Sequence, residues 1–305
     1  MPAISVILPC YKEDVSVYRE AVDSILNQTF SDFELLLILD CPDNHVLERC
    51  IYDYAEQDDR VVPLIHEHNM GLPMTLNDAI SRCRGAFVCR MDADDIAMHN
   101  RLEVQLSHLI AERLDLVGSF VEVIDGGGTT RYTVSNIPTS CEGVARALRF
   151  NNCVPHPTWL GKKELFLQDY RPIPQSEDYD FLLRAVLEGR RIGNVGEVTL
   201  KYRQTDKSLS RSNLYRQFQA QRYLTSEFRK GAIAGVDGLD SHLIASSSPS
   251  KMRRYARADI AFNSGLENLR RGNYWSAAAS LIRVPFLSFA YCNKIYRMLM
   301  ASICK

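Results

Sequence analysis

The sequence predicts an α/β protein in which a doubly wound, mixed but mainly parallel sheet is flanked by helices. Short apolar segments alternate with longer segments of helical periodicity through the first 100 residues, which is the pattern of consecutive strand and helix units. The chain has 305 residues, of which 46% are hydrophobic and 24% charged. This composition is ordinary for a globular protein and excludes disordered, collagen-like and disulfide-scaffold classes.

Four strand and helix units are predicted before residue 92. The apolar runs at 4–8, 33–39, 61–65 and 86–91 have the length of buried strands, and residues 17–27, 46–55 and 72–83 between them repeat apolar side chains at helical spacing. A further strand is expected at 116–124, before a turn of three glycines. From about Leu214 onward the pattern is helical.

Charge is unevenly distributed along the chain. Residues 201–305 contain 18 Lys and Arg against 6 acidic residues, whereas the first 200 contain 18 against 31, so a net charge of -1 hides a basic C-terminal region. The balanced total gives no indication of a nucleic-acid partner. The apolar segment from Ala277 to Cys292 contains Arg283 and Pro285 and is too short to cross a bilayer, but it could lie on an anionic membrane surface.

The cysteines and the first residues indicate a cytoplasmic protein. Nine cysteines without a C-x-x-C pair favour neither a disulfide framework nor a zinc site, and they suit a reducing compartment. The first residues form a predicted strand and lack the charged and apolar segments of a signal peptide.

Carboxylates follow the fourth predicted strand, where ligands bind in sheets of this kind. Asp92, Asp94 and Asp95 lie within four residues, and such a cluster is easiest to explain if a divalent cation neutralises it. Mg²⁺ and Mn²⁺ bind through one or two carboxylates together with phosphate oxygens of a substrate. The alternative is a solvated turn in which Asp95 caps the next helix.

Other polar side chains follow the first three strands. Asp40 could accept a hydrogen bond from a base or ribose, while Tyr11 and Glu13 offer a ring and a carboxylate at the same edge. Asn69 lies in a turn that leads into the helix of Asn77, whose N-terminus could face an anion. An ordinary turn is the alternative explanation for Asp40. A polar loop that enters a helix explains the other features equally well.

A second acidic cluster begins a predicted helix at Ser176. Glu177, Asp178 and Asp180 exceed what a helix N-terminus requires, so one of them could act as a general base for an incoming hydroxyl. Acceptor or diphosphate contacts are expected from residues in the second half of the chain. These are His156, which is held between two prolines, Glu177, Arg203 and Ser208.

Six segments in a fixed order resemble glycosyltransferase family 2, the inverting enzymes of the GT-A fold. They are SVILPCYKED, SILNQTFSDFELLLILD, NMGLPMTLNDAI, CRMDADDI, SEDYDFLLR and YRQTDKSLSR. The resemblance extends over roughly residues 3–212. The likeness is closest to bacterial members that assemble capsular, exopolysaccharide and O-antigen repeat units. Several modest motifs in the right order make coincidence improbable.

The resemblance implies a division of the chain and a set of site residues. Residues 1–212 would form the catalytic domain, with the nucleotide-sugar and metal site in 1–115 and the acceptor and base in 116–212, followed by a helical basic region at 213–305. The implied donor contacts are Pro9, Tyr11, Glu13, Asp40 and Asp92. Asp92 and Asp94 would form the D-x-D site for Mn²⁺ or Mg²⁺, and Asp178 would be the base.

Two positions depart from the family pattern. Many relatives have two adjacent acids after the second strand, whereas here Leu39 precedes Asp40, which weakens the prediction of the nucleotide. Relatives often have a histidine where this chain has Thr205. A metal ligand or phosphate contact of those members is therefore missing here.

The sequence thus predicts a metal-dependent inverting glycosyltransferase. The donor is expected to be a UDP-sugar, and the acceptor a glycan hydroxyl, carried on a lipid diphosphate at the cytoplasmic face of a bacterial inner membrane. A sugar nucleotidyltransferase is the first alternative, although the Gly-rich loop of that class is missing from residues 9–14. The second is a non-catalytic nucleotide or glycan binder, against which both acidic clusters argue.

Overall fold

The computed structural model describes residues 1–173, 175–205, 213–232, 235–246 and 248–304. One of the predicted contact residues, Ser208, lies outside this part of the chain. The described residues form a nine-stranded sheet with helices packed against it. The strands are β1 (Ile4–Cys10), β2 (Phe33–Leu39), β3 (Val61–Ile65), β4 (Phe87–Arg90), β5 (Ile96–Ala97), β6 (Leu116–Ile124), β7 (Thr130–Val134), β8 (Leu160–Lys162) and β9 (Ile192–Arg203).

The helices of the first half match their sequence periods to within a few residues. In chain order the helices are α1 (Val15–Leu26), α2 (His45–Gln57), α3 (Leu72–Arg82), α4 (Arg101–Ala111), α5 (Cys141–Ala147), α6 (Lys163–Phe166), α7 (Glu177–Leu187), α8 (Leu214–Arg229), α9 (Val236–Ser246), α10 (Pro249–Arg270), α11 (Tyr274–Leu287) and α12 (Phe289–Ile303). A short 3₁₀ helix covers His156–Thr158. The predicted fold class is confirmed.

The sheet has a parallel half and a mixed half. Its strand order is β3-β2-β1-β4-β8-β6-β9-β5, and β7 pairs with β6 outside this path. The strands β3, β2, β1 and β4 are parallel, whereas β8 is antiparallel to both β4 and β6. Because β1, β2 and β4 run in the same direction, the residues that follow them meet at one edge of the sheet.

Each face of the sheet is covered by its own apolar cluster. Along β1, Val6 and Leu8 pack with Ile25 of α1 on one face, while Ile7 packs with Ile80 of α3 on the other. All five of these residues are buried. Side chains of a strand alternate between faces, so a strand that is covered on both sides consists almost entirely of apolar residues.

The C-terminal helices contact the first part of the chain. Arg297 of α12 is buried and donates hydrogen bonds to the Phe150 carbonyl at 2.5 Å and to the Thr225 hydroxyl at 2.6 Å. Tyr255 of α10 and Tyr291 of α12 lie in a third apolar cluster with Phe218 of α8. Among the residues described, no helix combines the length and the apolar character needed to cross a membrane.

Candidate active site

The carboxylates after β4 form a compact cluster. Oxygen atoms of Asp92, Asp94 and Asp95 lie within 4.8 Å of one another. Met91 and Ala93 alternate with the first two aspartates. Both are buried, so they anchor the loop in the apolar core. Asp95 does not cap α4, which begins after Asn100. Its Oδ1 instead accepts a hydrogen bond from the Arg203 backbone N–H at 2.8 Å.

The donor set of this cluster suits a hard divalent cation. Burial, together with the charges of Asp92 and Glu13, raises the pKa of Asp94 to about 7. Burial and the charges of Asp92 and Asp94 raise the pKa of Asp95 well above its ordinary value. The Oδ2 of Asp95 is buried and has no hydrogen-bond partner within the described part of the chain. Three neighbouring carboxylates that repel one another, with one buried oxygen that has no donor, fit Mg²⁺ or Mn²⁺.

Arg90 places a buried positive charge beside this cluster. Its side chain is 2% exposed and forms an ion pair with Asp92 through Nη2, while Nε and Nη1 have no partner among the residues described. Burial raises the pKa values of Glu177 and Asp178, and the charge of Arg90 partly opposes this rise, so Arg90 acts on both acidic clusters. Arg90 is not among the residues predicted from the sequence, although an arginine inside a buried strand is a signal of a functional or paired charge.

Arg203, at the end of β9, holds the aspartate loop in place. Its guanidinium donates from Nε to the Asp94 carbonyl at 2.8 Å, from Nη1 to the Gly126 carbonyl at 3.0 Å, and from Nη2 to Glu20 at 2.6 Å. The side chain is 4% exposed. We expected Arg203 to contact a diphosphate; its donors are instead occupied by protein groups, which favours a positioning role.

An open cleft lies beside the ends of β1 and β2. It has a volume of about 500 Å³ and is lined by Tyr11, Lys12, Cys41, Pro42, Asp43, Asn44, Glu67, His68 and Asn69. The Tyr11 ring is partly exposed, and Lys12 lies 4.7 Å from its centre. The Tyr11 backbone N–H donates to Glu13 at 2.6 Å. Pro9 is buried within β1 and is not among the residues that line the cleft.

Asp40 fixes one wall of the cleft instead of facing into it. Its carboxylate accepts hydrogen bonds from the backbone N–H groups of Met70 at 2.8 Å and Gly71 at 2.9 Å, and Nδ1 of His66 lies 2.9 Å from it. The Asn69 amide donates to the Asp40 carbonyl at 3.1 Å. Asp40 therefore holds the loop that carries three of the lining residues.

Two predicted contact residues serve the packing of the second half. Asn77 exchanges two hydrogen bonds with the backbone of Tyr170, at 2.8 and 2.9 Å, so its amide does not face an anion. His156 is buried, with Nε2 3.0 Å from the Tyr170 hydroxyl and its ring 4.5 Å from that of Trp159. Burial and the charge of Arg90 lower its pKa well below the usual range. These contacts favour structural roles for both residues.

The acids of the second cluster, at the start of α7, differ in their contacts. Asp178 accepts hydrogen bonds from the Asn152 amide and from the Tyr179 backbone N–H, each at 2.7 Å. Burial nevertheless raises its pKa, and burial together with Asp178 raises the pKa of Glu177 to about 7. Asp180 is buried in ion pairs with Arg171 and Arg184 and is therefore a structural acid.

Asn152 is the residue that sequence reasoning had no means of finding. It lies in the segment between α5 and the 3₁₀ helix, and its own Oδ1 accepts a hydrogen bond from the Val154 backbone N–H at 2.9 Å. Both ends of its amide are therefore used, one by the backbone and one by Asp178. A polar residue in an irregular segment gives no periodic signal.

The chain is similar to known glycosyltransferases in sequence and in structure. Residues 5–172 match the model of the glycosyl transferase family 2. The O-antigen biosynthesis glycosyltransferase WbnJ of Escherichia coli is 34% identical over 236 residues, which cover 74% of this chain and 89% of that protein. The amylovoran biosynthesis glycosyltransferase AmsE of Erwinia amylovora is 28% identical over 206 residues, covering 65% and 75%.

Solved structures show the same fold. TarS residues 1–349 of S. aureus in complex with UDP-GlcNAc matches with a TM-score of 0.62 at 15% identity, over 95% of this chain and 93% of that one. At this identity the likeness concerns the fold alone. The family match covers more than half of the chain, and WbnJ is 34% identical over 74% of it, so these two findings show the family as well as the fold. This chain belongs to glycosyltransferase family 2 and is a glycosyltransferase.

Proposed function

We propose that this enzyme transfers a sugar from a UDP-sugar to a hydroxyl of a glycan acceptor, with inversion at the anomeric carbon and with the help of a divalent cation. The observation that carries the proposal is the pairing of two acidic clusters, Asp92 to Asp95 and Glu177 with Asp178, around the charge of Arg90. One cluster suits the leaving diphosphate, and the other suits the attacking hydroxyl.

The donor would bind with its nucleoside in the 500 Å³ cleft and its diphosphate toward the aspartate loop. Tyr11 offers an exposed ring for stacking on the base, and the loop fixed by Asp40 closes one side. TarS, which shares the fold, has been solved with UDP-GlcNAc and with UDP. These two complexes support UDP as the nucleotide part of the donor.

The cation would be held by Asp92 and Asp94, with Asp95 behind them. When bound, it supplies positive charge that stabilises the leaving diphosphate. Arg90 orients Asp92 through their ion pair, and Arg203 holds the backbone of the next two aspartates. These contacts fix the direction of the carboxylates before any substrate arrives.

Asp178 would take the proton of the acceptor hydroxyl. Its two hydrogen bonds fix the carboxylate, and its raised pKa makes it a better proton acceptor than an exposed aspartate. A displacement in which the hydroxyl attacks as the diphosphate leaves, on the opposite side of the ring, inverts the anomeric carbon. Glu177, next to Asp178, would contact the acceptor.

The acceptor would be a growing bacterial surface polysaccharide, because WbnJ and AmsE are named for O-antigen and amylovoran biosynthesis. A lipid diphosphate carrier at the cytoplasmic face of the inner membrane suits the basic C-terminal region. The nucleotidyltransferase alternative requires phosphoryl transfer and gives no use to Asp178. The binder alternative gives no use to either buried acidic cluster.

The test is incubation of the full chain with Mn²⁺ or Mg²⁺, a panel of UDP-sugars and synthetic lipid diphosphate glycans. Mass spectrometry should find the acceptor heavier by one sugar, and NMR should find the anomeric configuration opposite to that of the donor. A product of retained configuration, or release of pyrophosphate, would overturn the proposal. The Asp178→Asn variant serves as the matched catalytic control.

A further inference from the structure

Helix α11 turns an apolar face toward solvent. Trp275, Ile282 and Phe286 are spaced seven and four residues apart, so they lie on one side of the helix. They are 91%, 65% and 80% exposed. The buried residues Ala277 and Val284 lie on the opposite side. The large apolar side chains therefore face outward and the smaller ones face the protein, which reverses the arrangement of an ordinary surface helix.

Helix α12 continues this arrangement after the turn at Ser288. Phe289, Tyr296 and Ile303 are spaced by seven residues and are 85%, 54% and 72% exposed. Tyr291 and Ala301 are buried on the other side. We call the outward apolar side chains of these two consecutive helices the C-terminal apolar surface. Its members are Trp275, Ile282, Phe286, Phe289, Tyr296, Leu299 and Ile303.

The helices that carry this surface are rich in positive charge. Residues 248–304 contain nine Lys and Arg and two acidic residues. Arg283 is exposed on α11 next to Ile282 in the sequence. Arg254 of α10 donates hydrogen bonds to the carbonyls of Phe286 at 3.0 Å and Leu287 at 2.8 Å, which places an exposed guanidinium at the corner between the two helices.

An anionic lipid bilayer is the partner that this combination fits. Tryptophan and phenylalanine at an interface insert to the level of the headgroups, and arginines beside them attract anionic lipids. Each Lys or Arg near such a surface adds to this attraction. A protein partner would have to match both an apolar stripe and a surrounding excess of positive charge, whereas a bilayer with anionic headgroups supplies both at once.

We propose that the C-terminal apolar surface inserts shallowly into an anionic bilayer, with Trp275, Phe286 and Phe289 as the main inserting side chains. The inference does not rest on the transfer chemistry proposed above, because none of these residues belongs to the acidic clusters or to the cleft. It would bring the active site to the surface on which a lipid-linked acceptor lies.

The test is flotation of the full chain with phosphatidylglycerol and phosphatidylcholine vesicles at low salt. We expect wild type to float with mixed vesicles and to stay in solution with phosphatidylcholine alone. A triple variant with Trp275→Ser, Phe286→Ser and Phe289→Ser should lose at least about tenfold in partitioning, because most of the inserted apolar area is removed. In wild type, the emission of Trp275 should shift to the blue when vesicles are added.

The matched control replaces three exposed apolar residues elsewhere, with Val46→Ser, Ile110→Ser and Leu167→Ser, which are 66%, 59% and 69% exposed in wild type. This variant should float like wild type. Both variants should keep the wild-type melting temperature and the wild-type transfer rate to a soluble acceptor. Failure of wild type to float, equal flotation of the two triple variants, or self-association that only the first variant abolishes would overturn the inference.

Discussion

Arg203 donates a hydrogen bond from its Nε to the backbone carbonyl of Asp94 at 2.8 Å, and its own backbone N–H donates to Oδ1 of Asp95 at 2.8 Å. The end of β9 thus holds the loop after β4 by both side chain and backbone. A guanidinium that we expected to bind a diphosphate instead fixes the carboxylates that would bind the cation.

Arg203→Lys should weaken activation by the cation. A lysine keeps the charge but cannot donate to Asp94, Gly126 and Glu20 at once, so we expect the Mn²⁺ concentration for half-maximal transfer to rise by about tenfold or more. The loss of buried hydrogen bonds should also cost about 1–3 kcal/mol in the free energy of unfolding. Arg82→Lys, at a site that is 54% exposed, is the control. An unchanged Mn²⁺ dependence in Arg203→Lys would contradict this role.

Asp94→Asn should abolish stabilisation by the cation. In wild type, a bound cation raises the melting temperature because it binds the folded state alone, and the variant should lose most of that rise. Without metal the variant should melt no earlier than wild type, since one buried negative charge has been removed from the cluster. Thermal melts with and without Mn²⁺ measure both effects. With the exposed Asp59→Asn as control, a full Mn²⁺-dependent rise in Asp94→Asn would exclude its metal role.

Asp178→Asn should slow transfer by about 100-fold to 10,000-fold, because the amide cannot accept the proton of the hydroxyl. Donor affinity, measured by calorimetry with Mn²⁺, should stay near the wild-type value. Asp180→Asn should behave in the opposite way. It should lose about 3–5 kcal/mol of stability, since Arg171 and Arg184 lose a buried partner. If folded Asp178→Asn transfers sugar at the wild-type rate, the base is another residue.

Asn152→Ala should shift the acid limb of the pH–rate profile to higher pH. The Asn152 amide donates to the ionised form of Asp178 and so lowers its pKa, against burial, which raises that pKa. Without the amide the pKa rises further, and because transfer needs the ionised carboxylate, activity is lost at a higher pH as the solution is acidified. Asn151→Ala is the control. A profile that keeps its acid limb while only the maximum rate falls would argue against this contact.

Asp40→Asn should raise the KM for the donor by about tenfold and leave kcat nearly unchanged. The amide places a donor where the N–H groups of Met70 and Gly71 need an acceptor, so one wall of the cleft loosens. That wall would contact donor equally in the ground and transition states, which changes KM alone. A large fall in kcat at an unchanged KM would place Asp40 in the chemical step instead.

The sequence by itself determined the parallel half of the sheet and the positions of both acidic clusters. The strands at 33–39, 61–65 and 116–124 have the bounds that the sequence predicts. The signal is clearest at Phe33–Leu39, because this strand is buried on both faces and is almost entirely apolar. The aspartates after β4 and the acids at the start of α7 could be found because they follow a strand end and begin a helix, and local patterns mark such ends.

Tertiary structure alone decided which polar groups meet. The contacts of Arg203 with Asp94, Asn152 with Asp178, and Asn77 with Tyr170 join residues that are far apart in the chain. Periodicity describes how a segment meets the core, and it carries no information about such partners. The same holds for α11: the sequence has apolar residues at helical spacing, but only the packing of Ala277 and Val284 against the protein leaves Trp275 and Phe286 facing outward.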